Sequence, residues 1–266
     1  DAARAATLDA MRALLDAAVA APVPRVVLVS SAIVYGAHAG NPIPMDEDAP
    51  LRANADYGPS LRALAVEEMA RSFRRSHSDV ALAVLRPAAG AGPVADSFIA
   101  RMFEAPRLPR IKGFAPPVQV LHHDDLAGAV GFACARGLDG EFNVAPDGSL
   151  GMDEMLAMSG KRAIELPESV AFSLAARAWR VGLASSPPGE LRFLMHPLIL
   201  DGARLAAAGW RPRHSNRDAI AATIEARKPW IALGPGRVRK ADLAKGAAAT
   251  LGLIGAMAAV RRVRKR

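Results

Sequence analysis

The sequence predicts an α/β fold built on a parallel sheet, and three observations carry that prediction. Short, nearly continuous aliphatic runs stand at residues 25–30 and 80–85, the pattern of strands buried on both faces. Helical stretches alternate with them, and helix, short loop, apolar strand is half of a βαβ unit. The 266 residues, 51% hydrophobic and 23% charged, suffice for a sizeable core in one or two domains. Such a composition excludes a disordered polyelectrolyte and a collagen-like repeat.

The elements follow in order. Over residues 7–21, Leu8, Met11, Leu14, Leu15, Ala18 and Val19 recur at helical spacing, with Asp9, Arg12 and Asp16 elsewhere on the wheel. Pro22 and Pro24 stop this helix, and the first strand follows. Residues 36–56, rich in Gly, Pro, Asn and Asp, read as a surface loop. Residues 57–76 read as a helix and 80–85 as a second strand. Residues 88–117 read as irregular, with one short helix near 98–103. A strand at 118–121 leads to a helix running to 136, capped by Asp124 or Asp125. A strand at 141–145 and a turn at 146–149 follow, then helices near 152–159, 167–183, 201–208 and 216–226.

The net charge of +8 does not describe the body. Residues 1–226 carry 23 basic and 25 acidic side chains, whereas residues 227–266 carry 11 basic side chains and only Asp242. No aromatic or basic face on the body accompanies this excess, so nucleic acid is not an expected partner. A single cysteine excludes a disulfide scaffold and points to a reducing, cytoplasmic setting. Cys134 falls beside Phe132 on the expected apolar face of its helix, where packing is its expected role. His122 and His123 adjoin on a strand pattern that sends neighbours to opposite faces. No metal site is therefore expected.

Five motifs then stand in order: Ser30-Ser31-Ala32-Ile33-Val34-Tyr35-Gly36, Tyr57-Gly58-Pro59-Ser60, Leu85-Arg86-Pro87, His122-His123-Asp124-Asp125-Leu126-Ala127, and Asp201, Arg204-Leu205 with Gly209-Trp210-Arg211-Pro212. Over about residues 7–225 this resembles the extended short-chain dehydrogenase/reductase family, the NAD-dependent epimerases and dehydratases of sugar nucleotides, with a UDP-glucose 4-epimerase-like subgroup nearest. The resemblance implies the C-terminal half of a Rossmann-type doubly wound sheet with a small, mostly helical substrate lobe. It divides the chain into a partial NAD(P)-binding domain at 1–93 and a lobe at 94–226, with returning strands near 118–145. Residues 227–266 remain as a basic, apolar tail. The family's opening Gly-x-x-Gly-x-x-Gly turn, which holds a pyrophosphate at a helix N-terminus, does not occur in this sequence. A fragment lacking the first half of the sheet is the expectation, with an exposed apolar edge and dependence on the missing half.

The resemblance also implies roles. Ser31 would polarise the substrate hydroxyl and Tyr57 would take its proton, while NAD or NADP takes a hydride. Ser30, Tyr57, Arg86, Pro87 and Ala88 would line the cofactor, and Tyr35, His122 and Asp124 the substrate. Asp125 would cap the following helix, and Trp210 would close the lobe. Read without the resemblance, Ser31 is a strand-end serine capping backbone groups, and Tyr57 an aromatic covering apolar surface.

Two departures stand out. The family's lysine four residues after the tyrosine is here Leu61, and no lysine precedes Lys112. Arg62, five residues on, points about 140° around the helix from Tyr57. Without the lysine, Tyr57 keeps a pKa near 10 and is a poor base at pH 7. The family's Asn and Tyr after the Arg-Pro pair are here Ala89 and Ala91. Two functions are therefore expected: an NAD(P)-dependent epimerase, dehydratase or reductase of a nucleotide-sugar, or a catalytically degenerate relative that binds NAD(P) or a ligand as a sensor or scaffold. A homodimer is compatible with either. Residues 246–260 carry no charge and Arg261-Arg262-Val263-Arg264-Lys265-Arg266 follows. Fifteen helical residues span about 22 Å, short of a bilayer's hydrocarbon core of about 30 Å. Peripheral contact with an anionic membrane is one expectation, a docked or solvated tail the other.

Overall fold

The computed structural model describes residues 2–21, 23–233 and 236–242. Its centre is a three-stranded parallel sheet in the order β1 (Arg25–Val29), β2 (Ala81–Pro87), β6 (Gly140–Val144). Val27 lies opposite Ala83, and Leu85 opposite Phe142. β2 is the middle strand, and its side chains alternate as a strand must. Leu82 and Val84 enter one core with Met11 and Leu15 of α1 (Ala2–Ala20) and with Ala70 and Phe73 of α2 (Gly58–Ser76). Ala83 and Leu85 enter another with Ala129 and Ala133 of α4 (His123–Arg136). Helices thus cover both faces, which is why both strands read as unbroken apolar runs.

The outer edge of β1 pairs with no described strand. Beside it Leu14, Val19 and Val29 are 54%, 43% and 46% exposed. Only Met11, Leu15 and Ala18 of the α1 stripe are buried, so about half of that stripe is uncovered here.

A third core lies under the remaining elements and joins Ile99, Met102, Phe103, Leu108, Val120, Met155 and Ile220. It packs α3 (Phe98–Met102), α5 (Met152–Ser159) and α8 (Asn216–Arg227). Residues 88–117 are more regular than their Pro and Gly content implies. β3 (Ala89–Ala91) pairs in parallel with β5 (Val120–His122), and β4 (Arg107–Ile111) with β7 (Arg162–Leu166). Three- and five-residue strands carry too little periodicity to be read locally, and their partners lie far along the chain. α6 (Glu168–Arg180) and α7 (Ala203–Ala207) match expected helices, shortened at their ends. β8 (Trp230–Leu233) and β9 (Gly236–Arg239) form an antiparallel pair where the sequence reads as the start of the tail. The apolar, basic stretch 246–266 lies outside the described residues. Among those described, no helix is long and apolar enough to cross a membrane.

Candidate active site

A cavity of about 600 Å³ opens at the C-terminal ends of the parallel strands, where ligands of open α/β sheets are held. Ser31 follows β1, Pro87 and Ala88 close β2, and His123 follows β5. All four line the cavity together with Tyr57. Four of the expected site residues, Ser31, Tyr57, Pro87 and Ala88, are therefore brought to one place.

Ser31 keeps both of its readings. Its Oγ accepts the Ile33 N–H at 3.4 Å and caps a short 3-10 helix at Ala32–Tyr35. The hydroxyl hydrogen has no acceptor among the described residues and remains available to the cavity. Tyr57 is the N-cap of α2, placed there by Pro59 in the first turn. Its ring is buried and packs edge-on against Phe193 at 5.6 Å. Its hydroxyl donates to Glu190 Oε1 at 3.1 Å. Burial, and then the Glu190 carboxylate, push the Tyr57 pKa up to about 12. At Leu61 the backbone N–H closes the first turn on the Tyr57 carbonyl at 3.4 Å.

Glu190 escapes sequence reasoning because it lies 133 residues from Tyr57, in a Pro- and Gly-rich stretch without periodicity. It sits on a second 3-10 segment, Pro188–Leu194. Burial raises its pKa, against the lowering pull of Arg101 and of hydrogen bonds from Tyr57 and Ser186. Arg101 Nη2 stands 3.5 Å away.

Five expected site residues lie elsewhere: Arg86, Tyr35, Ser30, His122 and Asp124. Arg86 is fully buried beneath the strand ends and does not line the cavity. Its Nε reaches both Glu67 oxygens at 3.1 and 3.0 Å, and its Nη2 reaches Oε2 at 2.7 Å. Its Nη1 donates to the Tyr35 hydroxyl at 2.8 Å and to the Glu47 carbonyl at 3.0 Å. Burial works against the Arg86 charge, but the bonds to Glu67 outweigh it, and the pKa is raised. Tyr35, also fully buried, donates its hydroxyl hydrogen bond to Asn143 Oδ1 at 2.8 Å. Ser30 donates to Glu67 at 2.6 Å. Tyr35, Ser30 and Arg86 thus belong to one hydrogen-bonded network around Glu67, and none of them lines the cavity. A buried charge must find its partners within reach, and here Glu67 supplies the counter-charge of Arg86 while also accepting from Ser30.

The histidine pair corrects a second expectation. β5 ends at His122 and α4 begins at His123, so strand alternation stops between them and their rings lie 4.3 Å apart. His122, rather than an aspartate, caps α4, its Nδ1 accepting the Asp124 N–H at 3.3 Å. His122 also stacks on His214 at 4.0 Å. Burial and then the other two histidines lower its pKa. Ligand atoms of His122, Asp124 and His214 lie within 4.8 Å of one another. His214 Nδ1 is already held by Asp125 at 3.0 Å. Asp125 caps nothing in α4. It is buried and accepts the backbone N–H groups of Arg213 and His214 at 2.9 and 3.0 Å, tying down the approach to α8. Asp124 is exposed and, like His122, does not line the cavity.

Cys134 is exposed rather than packed, one position around the helix from buried Ala133. Trp210 packs on the core beside Gly128 of α4 rather than over the cavity.

Uncharacterized proteins of Mycobacterium tuberculosis (strain ATCC 25618 / H37Rv) and Mycobacterium bovis are 27% identical over 233 residues. The match covers 87% of this chain but 62% of theirs, so the chain spans less than two thirds of their length. The fold resembles Thermus thermophilus UDP-glucose 4-epimerase, solved with NAD, at TM-score 0.63 and 19% identity over 84% of this chain and 70% of that one. It also resembles Bacillus anthracis dTDP-glucose 4,6-dehydratase, solved with NAD, at TM-score 0.62 and 16% identity over 81% and 65% of the two chains. Residues 2–145 match the model of the NAD dependent epimerase/dehydratase family. That span covers more than half of the sequence and holds Ser31, Tyr57 and the three strands of the central sheet, and by it the chain belongs to the NAD dependent epimerase/dehydratase family.

Proposed function

We propose that the chain contributes the catalytic and nicotinamide-facing part of an NAD(P)-dependent epimerase, dehydratase or reductase acting on a nucleotide-sugar or similar hydroxyl or carbonyl substrate. One observation carries this reading. Ser31 and Tyr57, from separate motifs, line one cavity at the ends of parallel strands. The cofactor fits what is present there. The wall at Ala88, Ala89 and Gly90 carries nothing longer than a methyl group, so a flat ring can approach the backbone closely. Ser31, Tyr57, Pro87 and Ala88 would hold its nicotinamide end. When bound, NAD(P) would accept a hydride from the carbon bearing the substrate hydroxyl. Ser31 would donate its unused hydrogen to the substrate oxygen, and Tyr57 would receive that oxygen's proton. The nucleotide-sugars and NAD of the structural neighbours support the substrate and cofactor class.

The test is binding of NAD and NADP to the full-length protein, followed by turnover of UDP- and dTDP-sugars read as cofactor absorbance or epimer formation. Tyr57→Phe is expected to reduce turnover by roughly 10²- to 10⁴-fold. Cofactor binding with no absorbance change or epimer for any substrate would overturn the enzyme reading. That outcome is the mark of the second reading, a degenerate family member that binds NAD(P) as a sensor or scaffold. The Tyr57 pKa of about 12 and Leu61 four residues on favour it.

A further inference from the structure

A tyrosine with a pKa of about 12 is ionised in only on the order of one molecule in 10⁵ at pH 7. In the chain alone the phenol, not the phenolate, is the resting form. The phenolic hydrogen is nonetheless already committed, to a carboxylate 3.1 Å away. We propose that Glu190 is the acceptor through which Tyr57 works: it takes the phenolic hydrogen as Tyr57 takes the substrate's hydroxyl proton. The proposal rests on the dehydrogenase-type reading above and deepens it.

The approach of Glu190 is built rather than incidental. A Cβ on Gly189 would lie 2.4 Å from the Asp56 carbonyl oxygen and 3.1 Å from the Tyr57 Cβ, so only glycine lets the segment come this close. On the same segment, Arg192 Nε binds Asp56 at 2.8 and 2.9 Å, and Phe193 packs on the Tyr57 ring. The residue before Tyr57 and the ring itself are thus both gripped by the stretch that carries Glu190. The groups facing the carboxylate are Tyr57 from the start of α2, Arg101 from α3 and Ser186 from the preceding loop. Arg101 also pairs with Asp96 at 3.5 Å. Arg101 favours the ionised form that a proton acceptor needs, and the Glu190 side chain is 12% exposed, so little water competes.

The step balances. The substrate C–H bond breaks and its electron pair leaves as hydride to the oxidised nicotinamide. The substrate O–H proton passes to the Tyr57 oxygen, the Tyr57 hydrogen passes to Glu190, and a carbonyl forms. Glu190 ends neutral, and the reverse sequence reduces a carbonyl. A positioned acid or base contributes roughly 10²- to 10⁴-fold. An anion that receives the phenolic proton does here what a neighbouring cation would do by lowering the phenol's pKa.

These 266 residues hold two tyrosines, and difference titration against Tyr57→Phe separates the Tyr57 tyrosinate from every other. Tyr57→Phe identifies the component belonging to Tyr57. Glu190→Gln is expected to bring that component down from about 12 toward 10, because the acceptor charge is gone. In turnover assays Glu190→Gln should lower kcat by roughly 10²-fold or more at nearly unchanged KM. It should also erase the acid limb of the kcat profile, and Glu190→Asp should restore part of both. A Tyr57 component that does not move in Glu190→Gln overturns the proposal, as does an acid limb that survives it. If the parent binds no cofactor and turns over no substrate, the functional reading falls. The absorbance titration then decides alone: a lowered midpoint upholds the Tyr57–Glu190 couple and an unmoved one overturns it.

Discussion

Tyr35 and Tyr57 both stand on family motifs and both are buried, yet their surroundings differ in sign. Burial raises the Tyr35 pKa and the facing Arg86 guanidinium offsets only part of this, while the Tyr35 hydroxyl donates to a neutral amide. Tyr57 faces a carboxylate, which adds to burial, and one side of its ring borders a cavity. The first is a closed network in which every member is another's partner. The second is an open couple in which a proton has somewhere to go and a substrate has somewhere to enter. Burial alone therefore does not mark a functional tyrosine; the charge of its partner and the presence of space do.

Breaking the closed network should have the largest effect. Arg86→Ala leaves buried Glu67 with only Arg71, 4.0 Å away, and a loss of about 3–5 kcal/mol is expected in urea unfolding. Replacing both, Arg86→Met with Glu67→Leu, should cost less than the single change, since no uncompensated charge remains. A loss below about 1 kcal/mol for Arg86→Ala would mean that the network is not what holds the strand ends. The open couple should be less sensitive. Gly189→Ala forces the 3-10 segment away from Asp56, and about 1–3 kcal/mol of destabilisation is expected. The same variant should lower the Tyr57 tyrosinate midpoint, because Glu190 recedes with the segment.

The smallest effect has the opposite sign. The folded-state pKa of Glu190 lies above its unfolded value, so the protonated form is favoured in the folded state. Folding is then penalised above the unfolded pKa, and the penalty vanishes as pH falls below about 4. Glu190→Gln should accordingly raise the Tm at neutral pH, with the gain disappearing toward pH 4. A variant less stable than the parent at neutral pH would place Glu190 with the structural network instead. Glu141 provides the contrast within the same molecule. Burial raises its pKa, but Arg74 and Arg71 more than reverse this, so its folded-state pKa is depressed. Its contribution is present above the unfolded value and is lost as pH falls.

Much of the fold was legible locally. Leu82, Ala83, Val84 and Leu85 read as a doubly buried strand because both faces are covered. Ser31 and Tyr57 were legible through motif order. Glu190, Arg101 and the short strands β3, β4 and β7 were not. Each draws its meaning from a partner far along the chain, and none carries a periodic signal of its own. Ser30, Tyr35 and Arg86 were read as site residues because motif position does not distinguish a side chain beneath the strand ends from one above them.

The sequence by itself determined the α/β class, the central strands with the helices that cover them, and the two hydroxyl residues at their ends. The class, strands and helices follow from hydrophobic period and local capping, which act over a few residues, and the two hydroxyl residues from the order of the family's motifs. Only the tertiary structure decided which tyrosine faces a cation and which an anion, because a buried polar group takes its partner from whatever the folded chain brings within about 3 Å. That placement makes one motif tyrosine a structural link and leaves the other with a carboxylate and a cavity.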